Sequence, residues 1–192
     1  MELNRCPWCL GDDDYIKYHD KEWGKPLRDN RKLFEFLILD GAQAGLSWLI
    51  ILKRRKGYQE AFDGFDPEKI ARYGPKDIER LLQDERIIRN KLKINSAINN
   101  AKAYCELMEG PLSFSKWLWN WVDGKPIINN WKTLKEIPAS TDLSERISRE
   151  LKKLGFSFVG PTIIYAFIQA AGLVNDHLVD CFRYSELIAK RN

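Results

Sequence analysis

The chain has 192 residues, 44% of them hydrophobic and 30% charged, enough for one cored domain over residues 1–192, of one or two lobes, and too short for two large ones. Its 31 Lys and Arg against 27 Asp and Glu leave a net charge of +4, too mild to identify an anionic partner. Apolar runs such as 46–52 fall far short of the roughly 20 residues of a membrane span, and Met1-Glu2-Leu3-Asn4-Arg5 opens neither a signal segment nor a transit peptide, so a cytoplasmic protein with no membrane partner is expected.

Helical patterning is nearly continuous and no alternating apolar strand of useful length is present, which predicts an all-α fold. Asn30 is expected to cap a helix with apolar positions from Leu33 to Leu39. A second helix follows from about Ser47 to Arg55. Asp66-Pro67 and Gly74-Pro75 each open a short helix with proline in the first turn. The segment Asn90 to Met108 is the longest periodic stretch and the expected central helix. Phe114 to Val122 forms an aromatic helix stopped by Asp123-Gly124, and 125–141, rich in Pro and Asn, is the longest loop. Asp142 or Ser144 caps a helix through Leu154. Pro161 opens another that runs to Ala171, and a last helix carries His177 to Ile188. The basic runs at 53–56, 86–93 and 146–153 read first as solvated helix faces.

The chain has only two histidines, and each lies in a cysteine neighbourhood. His177 and Cys181 are spaced to share one face of a helix, as a chelating pair requires. Cys6 and His19 form a second pair that a loop could bring round. Two thiolates and two imidazoles make a closed, structural zinc site with no position left for water. Cys9 leaves the count open, because Cys6-Pro7-Trp8-Cys9 is itself a C-x-x-C pair. The βαβ context of a redox pair is missing. Cys105 reads as buried filler within a helix.

The segment Arg149 to Gln169 reads as two helices joined by the turn Gly155-Phe156-Ser157-Phe158-Val159-Gly160. Such a hairpin presents free backbone N–H groups at a helix N-terminus, where a phosphate is favoured.

Three motifs, Tyr15-Ile16-Lys17-Tyr18-His19-Asp20-Lys21-Glu22-Trp23-Gly24, Gly41-Ala42-Gln43-Ala44-Gly45-Leu46-Ser47-Trp48 and Gly172-Leu173-Val174-Asn175-Asp176-His177, closely resemble the DNA-3-methyladenine glycosylase I family, over nearly the whole chain. The resemblance implies an all-α helix-hairpin-helix glycosylase fold and a monomer acting on double-stranded DNA that contains alkylated purines. It also implies one structural zinc held by Cys6, His19, His177 and Cys181, with Cys9 as an extra thiol. Tyr15, Tyr18 and Trp48 would wall the base pocket, and Asp40 would be the acid that contacts the base. Here the chain departs from the family pattern, which has Glu before the glycine where this sequence has Leu39-Asp40-Gly41. Leu46 would wedge into the base stack, while Phe158 and Gly160 of the hairpin, with Lys152 and Lys153, would hold phosphates.

The superfamily's catalytic aspartate corresponds to Asn175, and its strand-cleaving lysine to about Thr162. A monofunctional hydrolase that leaves an abasic site is therefore expected, with Asp176 as a candidate helper.

Overall fold

A computed structural model of the chain describes residues 3–189. In chain order the helices are α1 (Asp13–Lys21), α2 (Asn30–Gln43), α3 (Trp48–Ala61), α4 (Pro67–Ala71), α5 (Pro75–Gln83) and α6 (Lys91–Glu109). They continue with α7 (Phe114–Trp119), α8 (Asp142–Lys153), α9 (Pro161–Ala170) and α10 (Phe182–Ala189). The architecture is helical. Single 3-10 turns lie at Pro7–Cys9, Asp63–Phe65, Asn120–Val122 and Leu134–Glu136, and a parallel pair of two-residue strands, β1 (Ile127–Ile128) and β2 (Val174–Asn175), docks the expected long loop onto the C-terminal segment. No helix among the described residues is long and apolar enough to cross a membrane.

The centre of the molecule is α2, not α6. Residues 33–42 of α2 are buried without a break, and a helix that is apolar on all sides belongs in the interior. It packs against α3, α6, α7 and α9. By contrast α6 keeps a wet face, with Leu92 exposed. Glu35, the charged residue in the middle of α2's buried run, is held by Arg55 and Lys32 at 2.7 Å each and by Gln59 at 3.1 Å. The cap of α2 is Asp29, whose carboxylate accepts the Lys32 N–H at 2.8 Å. Asn30 instead accepts the Ser115 N–H at 2.7 Å and ties α7 to the central helix.

The helix after the long loop is capped by Thr141, in reciprocal exchange with Ser144, so the cap precedes both residues expected for it. The α8–α9 turn is pinned from two sides. Asn100 of α6 accepts the Ser157 N–H at 2.8 Å and donates to the Ser157 carbonyl at 2.9 Å, and the Ser148 hydroxyl donates to the Val159 carbonyl at 2.6 Å. This clamp holds Phe158 in the left-handed region, at φ +54°. Gly41 of α2 lies directly beneath it: a Cβ there would sit 3.6 Å from the Phe158 Cβ.

The last predicted helix starts late. Residues 177–181 form a turn, and α10 begins only at Phe182. Just upstream, Gly172 adopts φ +72°, and a Cβ on it would meet the Lys25 carbonyl carbon at 2.3 Å. Gly172→Ala combines left-handed strain with a backbone clash, and should lower unfolding free energy by at least about 2 kcal/mol. Urea denaturation measures this. A loss below about 0.5 kcal/mol would mean that the 25–26 backbone yields readily.

Candidate functional site

Helices α1, α2 and α9, together with the start of α3, enclose a cavity of about 210 Å³. That is below the roughly 300 Å³ at which pockets for drug-sized ligands begin, and suits one flat heterocycle. Tyr15 and Tyr18 reach it from one face of α1, Asp40 from the last turns of α2, and Trp48 from the first residue of α3. The four residues expected to form a pocket therefore share one cavity. Tyr18 and Trp48 lie 5.4 Å apart, centre to centre, with their rings inclined at 43°. Sequence reasoning missed Trp8, Trp23, Gln43, Ile137 and Gln169, which with Ala166 and Ala170 complete the lining. Trp8 and Trp23 belonged to quoted motifs, but nothing in their spacing pointed inward.

Two of the residues that line this cavity each carry a buried polar atom with no partner: the Asp40 Oδ2 and the Trp48 indole N–H. One acceptor and one donor thus await a ligand that supplies the complementary pair. Asp40 is 3% exposed, and burial pushes its carboxyl well above the usual range, with no cation or hydrogen bond to offset the cost. Burial also raises the Tyr18 phenol well above its ordinary value. The C-terminal end of α2 is held by Lys93, whose ammonium donates to the Ala42 and Ala44 carbonyls at 2.7 Å each.

Beside the cavity lies a second constellation. Cys6, His19, His177 and Cys181 are all buried, and their ligand atoms lie within 4.8 Å of one another. The Cys181 Sγ is 3.4 Å from His19 Nε2 and 3.6 Å from His177 Nδ1, and the Cys6 Sγ is 3.7 Å from His177 Nδ1. A tetrahedral ion with bonds of about 2.3 Å to sulfur and 2.05 Å to nitrogen needs S···N separations of roughly 3.6 Å. The cluster therefore fits a four-coordinate metal.

The outer contacts fit as well. His19 turns its Nδ1 to Asp20 at 2.8 Å, and Asp20 is fixed by Arg5 at 2.9 Å. His177 turns its Nε2 to the Trp23 carbonyl at 3.2 Å, and burial lowers its pKa, keeping the imidazole neutral as a ligand must be. The nearness of the two thiols and their burial push the pKa of Cys6 up, while the neighbouring thiol and the two imidazoles pull that of Cys181 down. His177 and Cys181 meet through the turn 177–181 and not through a helical face, because the chain there reverses to reach Cys6. Cys9 stands outside the set and donates its thiol to the Cys6 carbonyl. Cys105 is only partly buried.

The two constellations share aromatic walls. Trp8 packs edge-on against Tyr15 at 5.0 Å and His19 at 5.3 Å, and Trp23 against His177 at 4.6 Å.

Asp176 is not a free acid near the cavity. It accepts from the Tyr165 hydroxyl at 2.5 Å, Asn129 at 2.6 Å, and Trp131 and Gln169 at 2.8 Å each. Asn175 donates to the Tyr184 carbonyl and accepts the His177 N–H, both at 3.3 Å.

On the outer surface, Leu46 stands 36% exposed in the turn between α2 and α3. Lys152 and Lys153 are exposed at the end of α8, and Lys153 pairs with Glu150 at 2.7 Å. At the hairpin, the Phe158, Val159 and Gly160 N–H groups donate to no protein group among the described residues.

A family model described as methyladenine glycosylase matches residues 8–184. The DNA-3-methyladenine glycosylase of Haemophilus influenzae is 48% identical over 177 residues, 92% of this chain and 96% of that one. DNA-3-methyladenine glycosylase 1 of Escherichia coli is 48% identical over 182 residues, 95% and 97% of the two chains. Among solved structures, a crystal structure of 3-methyladenine DNA glycosylase I superposes with a TM-score of 0.91 at 49% identity, covering 93% of this chain and 98% of its own.

The position of Asp40 has a consequence for stability. Its folded pKa lies above the unfolded value, so the folded state holds a proton that the unfolded chain gives up above about pH 4. Stability is therefore lost as pH rises from the unfolded towards the folded pKa. Asp40→Asn removes that cost. Its melting temperature should exceed that of the wild type at neutral and alkaline pH, by roughly 2–4 °C per kcal/mol relieved, and the gap should close below about pH 4. Thermal scans across pH that show no gain would mean that Asp40 has a counter-charge in solution.

Proposed function

The chain belongs to the methyladenine glycosylase family, and on that premise we propose that it excises 3-methyladenine from alkylated DNA as a monofunctional N-glycosylase. The observation that carries this reading is the pair of unpartnered buried atoms, Asp40 Oδ2 and the Trp48 N–H, in a cavity walled by Tyr15, Tyr18 and Trp48. A flat ring carrying an amine, acceptor nitrogens and a positive charge satisfies both atoms.

Methylation at N3 places a positive charge on the adenine ring, so the glycosidic bond breaks to release a neutral base with no acid needed to protonate it. The chain's main task is therefore capture. The base must leave the stack at a cost of a few kcal/mol, and Leu46, exposed at its turn, suits the role of the wedge that fills the gap. Aromatic faces hold a cationic ring with roughly 0.5–2 kcal/mol per good contact. The Asp40 carboxylate accepts from the exocyclic amine, and the ring charge favours its ionised form.

Water supplies the hydroxyl that replaces the base at the sugar. Asn175 can offer no anion to that step, and Thr162 no amine, which supports hydrolysis to an abasic site without strand cleavage. The unpaired N–H groups of 158–160 suit a duplex phosphate, Lys152 is an exposed cation at the end of α8, and Lys153 adds charge already shared with Glu150. One chain carries the wedge, the cavity and the hairpin, so a monomer on double-stranded DNA suffices. Four free cysteines agree with the reducing cytoplasm.

The metal is assigned as one structural zinc, since two thiolates and two imidazoles at tetrahedral spacing leave no open position. When bound it supplies no chemistry to the reaction. It joins the 6–19 segment to the 177–181 turn, and so braces the Trp8 and Trp23 walls of the cavity.

The first test is chromatography of the bases freed from methylated duplex. Wild type should release 3-methyladenine, and Asp40→Asn should release it about 10- to 100-fold more slowly, the worth of a hydrogen bond to a charged group. Equal rates would remove the recognition role of Asp40. Elemental analysis should find one zinc per chain, with His177→Ala losing both the zinc and much of the affinity for free base. Metal-free protein with full affinity would refute the brace.

A further inference from the structure

Gln169 lies on the cavity face of α9 with Ala166 and Ala170, the spacing that shares one side of a helix. Its amide nitrogen donates to the Asp176 Oδ2 at 2.8 Å. Asp176 is 1% exposed and saturated by three further donors, so it is fixed in place and offers only acceptor oxygens. A flipped amide would point its carbonyl oxygen at that carboxylate, and the repulsion forbids it. Gln169 Oε1 must therefore face away from Asp176. It accepts from no protein group among the described residues and is not sealed inside the protein.

We infer that Gln169 is a specificity-determining acceptor of the base cavity and that Asp176 is the positioning residue that locks its carbonyl outward. The inference rests on the glycosylase reading and adds to it. Asp40 takes one hydrogen of the exocyclic amine, and Gln169 Oε1 takes the other. A purine with a carbonyl at that position, such as 3-methylguanine, brings oxygen against two acceptors and is disfavoured. This role assigns work to Asp176 without making it a catalytic residue, since it touches neither substrate nor reacting atoms.

The experiment measures 3-methyladenine and 3-methylguanine released from the same methylated duplex by the zinc-loaded protein. Gln169→Met keeps length and removes the acceptor. It should lower the 3-methyladenine to 3-methylguanine ratio by roughly 3- to 10-fold, the worth of one neutral hydrogen bond, with some loss of thermal stability because Asp176 also loses one of its four donors. Asp176→Asn, which lets the amide turn over, should move the ratio in the same direction. The double variant should fall no further than Gln169→Met alone, because the aspartate acts through the glutamine. If Asp176→Asn fails to fold, Gln169→Met decides alone. An unchanged ratio in Gln169→Met, or lost stability without a change in ratio, overturns the inference and leaves the glycosylase reading intact. A wild type that frees no methylated purine overturns both.

Discussion

An acid buried without a partner is the constraint around which this molecule is arranged. Taking a carboxylate out of water is costly unless hydrogen bonds or a cation replace its hydration. Glu35, five residues earlier on the same helix, shows the ordinary solution: Arg55, Lys32 and Gln59 surround it, and its pKa is lowered despite burial. Asp40 receives none of this. The two acids share one helix and are both buried, yet they differ in their neighbours, a cluster of cations in one case and aromatic rings in the other. One buried acid is satisfied fully and the other left bare, which on the proposed function reserves the second for a ligand.

The aromatic walls around Asp40 need fixing from behind, because a tryptophan that can tilt away loses its contact with a flat ligand. Trp8 and Trp23 meet that need through the histidines of the four-residue cluster. The cluster lies outside the cavity lining, so its effect on the site is mechanical. It closes a loop that spans nearly the whole chain, from Cys6 to Cys181. The Asp20–His19 and Trp23–His177 contacts orient the imidazoles from outside, so one short segment, 19–23, supplies a ligand of the cluster, a wall of the cavity and both orienting groups.

Much of this was legible in the sequence where chemistry is local or residue types are rare. With only two histidines available, the cluster could be nominated from composition and spacing. The proline-opened helices α4, α5 and α9 start where proline and its preceding residue dictate. What failed depended on tertiary contacts. Asn30 and Asp29 are both competent caps, and only the packing of α7 shows that Asn30 is occupied elsewhere. The 177–181 turn has the spacing of a helix but is bent by the need to reach Cys6. The 125–141 segment looked irregular and is, yet Asn129 and Trp131 anchor it to Asp176, a pairing across 45 or more positions. The clamp by Asn100 on the hairpin left no trace in the sequence for the same reason.

On the proposed function, the placement of Asp40 on α2 makes charge a selector in the cavity alongside shape. It lies near the C-terminal end of its helix, where the aligned peptide dipoles present partial negative charge and oppose ionisation of an acid. Lys93 offsets part of that field by capping the Ala42 and Ala44 carbonyls, although burial lowers its own pKa. The ammonium is spent on backbone oxygens and does not touch the carboxylate. Burial therefore favours the neutral form of Asp40, and a positive charge arriving inside the cavity shifts it towards the anion. A neutral adenine of almost the same outline brings no such charge and leaves the cost of the buried acid unrelieved. On the proposed function, the desolvation penalty on an ionised Asp40 then separates damaged from intact base, because a cationic ring stabilises the anion and a neutral one does not.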